Sequence, residues 1–240
     1  MATTLATEAP AALTELQFYD LPESSTLHLY WRALAAARYS RHWQYRVKRL
    51  FDLFAASLLL LILSPLMLLI ALAIKVTSRG PILFRQPRLM RDGVEFTLLK
   101  FRTMVDGADG MLDKVFYLNE AKAPLFKVRK DPRVTRLGRV LRKTFLDELP
   151  QLINVVRGEM SLVGPRPILA REVSDLPGRV VFRFAVPQGV TGPWQTHGHH
   201  KLTFDQQLAI ERTYIETWSL LGDLLILMQT VGLVLFRRGA

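Results

Sequence analysis

Residues 53–74 form a run of 22 positions without a charged side chain, the strongest hydrophobic feature of the chain. At about 1.5 Å per residue, such a run makes a helix of roughly 33 Å, long enough to cross the hydrocarbon core of a bilayer. Ser64-Pro65 falls at its centre, where proline removes a backbone hydrogen bond and bends a helix. Basic residues flank both ends: Arg41, Arg46, Lys48 and Arg49 before it, Lys75 and Arg79 after it. Cationic flanks favour the cytoplasmic side of a membrane. Two readings therefore stand at this point. One is a kinked helix that crosses; the other is a re-entrant helix that enters, breaks near Ser64-Pro65 and leaves by the same face.

After this run the period of the pattern changes. Residues 81–84 and 95–101 predict two short strands around a turn at Arg91-Asp92-Gly93. From Thr135 the spacing is helical, with Arg136, Arg139, Arg142 and Lys143 interleaved with Leu137, Val140 and Leu141. A second helix is predicted from near Asp147 to just before Gly158. It buries Leu149, Leu152, Ile153 and Val156 and tolerates Pro150 in its first turn. Pro/Gly-rich segments follow at 163–167 and 187–194. A helix is predicted over about 204–217, then an apolar stretch over 218–236 interrupted by Asp223 and Gln229. Asp223 favours an interfacial or protein-packed helix there over a membrane crossing. The first 40 or so residues start Ala/Thr-rich, carry few charges and show no secretory apolar region. They are expected to be partly disordered, with an amphipathic helix over 25–45.

Composition sharpens the picture. Half of the 240 residues are hydrophobic, yet the net charge is +11. Mean hydropathy is +0.16 and the sequence pI is about 10.2. An apolar and strongly basic chain suits a protein that lies in a membrane and handles an anion. The excess charge is local: residues 75–171 hold 20 Lys and Arg against 10 Asp and Glu. Phosphates are the obvious anions for such a region. The absence of cysteine excludes disulfides and thiolate metal sites.

Asp147-Glu148 is the best candidate for chemistry. Taken alone, the pair is most economically a helix start, because Asp caps helices and Glu suits a first turn. Its setting changes that. Lys127, Arg129, Lys130, Arg133, Arg136, Arg139, Arg142 and Lys143 precede it, opposed only by Asp131. A carboxylate can attack phosphorus when nearby cations keep it ionised and draw the phosphate in. Two adjacent acids can divide the labour, one attacking while the other holds Mg²⁺ against a diphosphate. Lys100 and Arg102 offer two cations from a strand end, and Arg166 offers one from a proline-fixed turn. His197, His199 and His200 read as exposed loop residues rather than metal ligands.

Together these motifs resemble the bacterial sugar transferase family, the monotopic phosphoglycosyl transferases that act on undecaprenyl phosphate. The likeness covers about residue 48 to the C-terminus. It includes Lys48-Arg49-x-x-Asp52, Ser64-Pro65, Gly80-Pro81, Gln86-x-Arg88 and Lys100-Phe101-Arg102-Thr103-Met104. It continues through Asp131-Pro132-Arg133-Val134-Thr135-x-x-Gly138. Its most specific part is Leu146-Asp147-Glu148-Leu149-Pro150-Gln151-Leu152-x-Asn154-Val155, followed by Gly158-x-Met160-Ser161-Leu162-Val163-Gly164-Pro165-Arg166-Pro167.

The resemblance implies an α+β, mainly helical fold, membrane-monotopic, with a re-entrant broken helix and a small β-hairpin in a cytoplasmic catalytic domain. The expected division is a variable extension over 1–45, the re-entrant helix over 46–76, the catalytic domain over 77–203 and C-terminal interfacial helices over 204–240. With only about 45 residues before the helix, the chain looks like the family's minimal catalytic form. The implied reaction is two-step. Asp147 attacks a UDP-sugar and releases UMP, and undecaprenyl phosphate then takes the sugar phosphate from the enzyme. Glu148 matches the Mg²⁺-binding acid, Arg142 a phosphate-binding arginine, and Arg88, Arg102 and Arg166 substrate-contacting positions. The implied setting is the cytoplasmic face of the bacterial inner membrane, with a homodimer left open. Met90, His199 and His200 depart from the family pattern and leave the choice of sugar open. A basic membrane scaffold for nucleic acid or anionic lipid gives no reason for Asp147-Glu148, and the aromatic–basic interleaving of single-strand binders is absent from the sequence. A membrane phosphohydrolase would differ in using water as acceptor.

Overall fold

The computed structural model describes residues 43–111, 131–170, 180–196 and 202–236, with 115, 117 and 128. The expected disorder before residue 43 and the loop residues His197, His199 and His200 lie outside this set. So do Lys127, Arg129 and Lys130.

Helix α1, Trp43–Thr77, contains the whole apolar run. Among the described residues it is the one helix long and apolar enough to cross a membrane, and only 11% of its most apolar 18-residue window is buried. It is therefore no soluble-protein core helix. Helical backbone continues through Ser64 and Pro65, so the expected break can only be a bend within one helix. The reason is local. Pro65 has no N–H for the carbonyl of Leu61, four residues back, and the Ser64 hydroxyl donates to that carbonyl instead, at 2.8 Å.

Both ends of α1 are tied to one body. Near its start, the buried Lys48 ammonium donates to Asp223 Oδ2 at 2.7 Å and to the Val163 carbonyl at 3.1 Å. Arg49 donates to the carbonyls of Val155 and Val156. Asp52 accepts from the Ser161 hydroxyl and the Leu162 amide. Near its other end, Ile70 and Ile74 pack with Phe101 and Leu141, and Arg102 donates to the carbonyl and hydroxyl of Ser78.

Strands β1, Leu83–Leu89, and β2, Glu95–Phe101, pair antiparallel with Leu83 opposite Phe101 and Leu89 opposite Glu95. The hairpin is the expected one, but its first strand runs five residues further than predicted. Pro87 is tolerated because β1 is the edge of a two-stranded sheet. The turn uses left-handed backbone at Asp92 and Gly93, φ 63° and 73°.

Helix α2, Arg136–Lys143, begins where Thr135 accepts from the Gly138 amide. The helix expected to start near Asp147 starts later. Residues Leu146–Glu148 form a 3₁₀ turn after a left-handed Phe145, and α3 spans Gln151–Arg157 with Pro150 as its N-cap. Gly158, φ 86°, closes α3. Two short strands, β3 (Ser161–Val163) leading into the first Pro/Gly-rich segment and β4 (Gly189–Thr191) inside the second, pair in parallel. Helix α4, Phe204–Thr217, opens with a capping box between Thr203 and Gln206, and α5 follows over Leu220–Phe236. The main core joins Phe96 and Leu98 of the hairpin, Leu152 and Val155 of α3, and Leu208, Tyr214 and Ile226 of the last two helices.

Candidate active site

The turn carrying Asp147 sits between α2 and α3 and packs against β2. It faces a cavity of about 1230 Å³ whose walls come from four parts of the chain. Leu60, Ser64, Met67, Leu68 and Ala71 supply one face of α1; Arg88, Lys100 and Arg102 come from or follow the hairpin; Arg142 ends α2; and Arg166 follows β3. All six residues singled out for catalysis and binding in the sequence, Asp147, Glu148, Arg142, Arg102, Arg88 and Arg166, thus line one cavity. Ser64 joins them and Pro65 does not.

Each cation is held in its own way. Arg142 Nε donates to the Thr103 hydroxyl at 2.8 Å. Arg102 is 6% exposed; Ser78 holds its Nη2, while Nε and Nη1 are buried without a partner. Those two donors face a cost unless a ligand acceptor meets them. Arg88 lines the cavity but gives its donors to Gln86 Oε1 and the Pro167 carbonyl, so it braces the segment bearing Arg166. The backbone amide of Arg166 is held in turn by the fully buried Glu211, at 3.3 Å. Glu211 also accepts from Trp194 and pairs with Arg183.

Lys100, offered by the sequence only as a cation at a strand end and with no role, pairs through its ammonium with Glu148 Oε1 at 2.7 Å. Its place at a strand end beside Arg102 was the available signal.

The two carboxyls are driven apart. Asp147 is 9% exposed. Burial first, and then the neighbouring Glu148 charge, push its carboxyl above the usual aspartate range, against the pull of Lys100 and Arg142. Glu148 goes the other way: burial would raise it, but Lys100 and then Arg166 outweigh burial and hold it low. Adjacent carboxyls with opposed shifts can take different roles in one reaction.

Mg²⁺ can be tested against the donor set. Among the described residues no group of three or more His, Cys, Asp or Glu could cage a metal ion. Mg²⁺ usually takes one or two carboxylates, waters and substrate phosphates rather than a full protein cage. Glu148, held ionised at the cavity, is the carboxylate that would hold an ion arriving with a diphosphate.

Converging cations around two adjacent carboxylates, one of them buried, are chemistry for a phosphorylated substrate, here with one wall made by an apolar helix. Comparison with known proteins gives the class a family. The chain belongs to the bacterial sugar transferase family, whose model matches residues 43–237, and is an enzyme of that family. It is 41% identical over 197 residues to the exopolysaccharide production protein ExoY of Rhizobium meliloti, covering 80% of this chain and 87% of that protein. It is 44% identical over 192 residues to the UDP-glucose:undecaprenyl-phosphate glucose-1-phosphate transferase of Caulobacter vibrioides, covering 77% and 68%. The undecaprenyl-phosphate galactose phosphotransferase of Salmonella typhimurium is 40% identical, and there the match spans 41% of the relative's length.

Proposed function

We propose that this protein transfers a sugar-1-phosphate from a UDP-sugar to undecaprenyl phosphate, releasing UMP, as the first membrane step of exopolysaccharide, capsule or glycan assembly. One observation carries the reading. The buried Asp147 and the half-buried Glu148 beside it share their cavity with the phosphate-binding cations and with an apolar face of α1. A nucleotide-sugar and a lipid phosphate can thus reach the same carboxylate from different sides. The names of the Caulobacter and Salmonella relatives support both substrates.

In the first step a carboxylate oxygen of Asp147 attacks the phosphorus that bears the sugar. The bond from that phosphorus to the bridging oxygen breaks, and UMP leaves with the electron pair. In the second step a phosphate oxygen of the lipid attacks the aspartyl-linked phosphorus and the carboxylate leaves, restored. Arg142 and Arg166 hold phosphate oxygens, and the unpartnered Nε and Nη1 of Arg102 offer two further donors. Lys100 keeps Glu148 ionised, so that Glu148 can hold Mg²⁺, which when bound with the donor offsets the diphosphate charge.

The placement of both ends of α1 supports a re-entrant course. A helix fixed near residue 48 and again near residue 78 to one domain leaves no end free for the far side of a bilayer. Basic flanks favour the cytoplasmic face of the bacterial inner membrane. The test is UMP release by purified protein with Mg²⁺, undecaprenyl phosphate and a panel of UDP-sugars. Release that requires both the lipid and Asp147 is expected. Full activity in Asp147→Asn, or release of free sugar phosphate without lipid, would overturn the proposal.

A further inference from the structure

The basic run before Asp147 holds more charge than the site uses. Arg142 enters the cavity, but Arg136, Arg139 and Lys143 lie on the outer face of α2 and are exposed. They stand at i, i+3 and i+7, one helix face, with Val140 among them at 56% exposure. Beyond the end of the apolar run of α1, Lys75 and Arg79 are exposed too. None of these five side chains makes a hydrogen bond or ion pair among the described residues. Five cations that form no ion pair among the described residues, gathered on one side of a domain, repel one another unless something anionic lies over them.

Their position says what that is. Leu141 seats α2 on Ile70 and Ile74, in the last turns of the apolar run. The other sides of those turns carry Leu69, Leu72 and Val76, exposed by 64%, 61% and 77%. The outer face of α2 is therefore about one helix diameter, roughly 10 Å, from surface that suits acyl chains. Arginine and lysine stems reach across much of that distance with the charge at the polar end. An exposed valine within the basic face suits the boundary between headgroups and chains better than open water.

We propose that Lys75, Arg79, Arg136, Arg139 and Lys143 form a collar that binds the headgroups of anionic phospholipids where the apolar part of α1 ends. The collar is separate from the catalytic cations and selects bilayer lipid, not substrate. The inference rests on the membrane-bound reading of α1 and does not require the transfer reaction.

The test uses the full chain in nanodiscs of phosphatidylcholine mixed with phosphatidylglycerol. The readout is the lipid retained by the protein after partial delipidation. A surface cation is worth about fivefold in local affinity for an anionic bilayer. Wild-type protein should retain phosphatidylglycerol over phosphatidylcholine severalfold, and Arg136→Gln/Arg139→Gln/Lys143→Gln should lose at least fivefold of that preference. Wild-type protein at about 0.5 M salt, where the Debye length is roughly 4 Å, should lose it as well, which covers a triple variant that fails to fold. Preference unchanged by both treatments overturns the collar. So does displacement of the signal by millimolar inorganic phosphate or by a short oligonucleotide, either of which would make the patch a site for a soluble anion. Failure to enter pure phosphatidylcholine nanodiscs would instead sink the membrane reading of α1, whereas entry without lipid preference sinks the collar alone.

Discussion

Lys48→Met is the substitution whose cost the structure defines best. The ammonium is 3% exposed and lies 2.7 Å from Asp223 Oδ2 and 3.8 Å from Asp52 Oδ2. Methionine fills nearly the same space without charge, so the change leaves two buried carboxylates with no cation between them. Breaking a buried pair in this way costs about 3–5 kcal/mol. Partial compensation favours the lower end. Asp223 keeps hydrogen bonds from Tyr214 and Trp218, and Asp52 keeps those from Ser161 and Leu162. For a domain of this size, about 3 kcal/mol lowers the melting temperature by roughly 6–12 °C. The assay is thermal unfolding in one fixed detergent, followed by near-ultraviolet circular dichroism. Lys48→Met/Asp223→Leu removes both partners and should regain about 2 kcal/mol relative to the sum of the single changes. A loss below about 1 kcal/mol in Lys48→Met, or strict additivity in the double variant, would refute the idea that this pair fastens α1 to α5.

Three further outcomes follow from the site and its supports. Asp147 must be ionised to attack and its carboxyl is raised, so the acid limb of UMP release should lie above the usual aspartate range. Lys100→Gln should move that limb higher still, and an unmoved limb would remove Lys100 from the electrostatics. The same shift fixes a sign for stability. The folded chain holds the Asp147 proton more tightly than the unfolded one, so ionisation costs stability that is absent at acid pH and complete above the raised value. Asp147→Asn should therefore melt higher than wild type at neutral pH and no higher in acid; equal melting at both would contradict the burial argument. Gly189→Ala should destabilise by about 1–3 kcal/mol, since its new Cβ would stand 2.1 Å from the Gly164 amide nitrogen. Gly110→Ala, with nothing within 4 Å, serves as the tolerated control in the same melting assay.

Features that depend on near neighbours were legible in the sequence. The apolar run, the hairpin turn, the helical spacing after Thr135 and the α4 limits all follow from local pattern, and the six site residues do meet in one cavity. What escaped depends on distance along the chain. Strands β3 and β4 have three residues each and pair across 28 positions, too short to show a period. Their packing relies on Gly164 and Gly189, which read locally only as turn residues. The later start of α3 comes from the left-handed Phe145, a bulky residue with no sequence signal for that conformation. Asp223 looked like an interruption of an apolar helix; its partner is Lys48, and a charge that is matched so far away cannot be judged from its own segment. The Ser64 hydroxyl that meets the Leu61 carbonyl left without a donor by Pro65 could not be read from the pattern either.

The Lys48–Asp223 bond also imposes a timetable on biogenesis. The two residues are 175 positions apart, and ribosomes add about 5–20 residues each second. Lys48 therefore waits roughly 9–35 s after its own synthesis before its final partner exists. During that interval the nascent α1 carries a cation beside the most apolar part of the chain. Asp52, one turn on and 3.8 Å away in the finished fold, is the only acid on α1 and is made almost at once. It can serve as the interim counter-charge, neutralising the helix while the rest of the protein is still being made. In the finished fold the Lys48 ammonium stands closer to Asp223 than to Asp52, so α5, translated long after α1, is the helix that locks it.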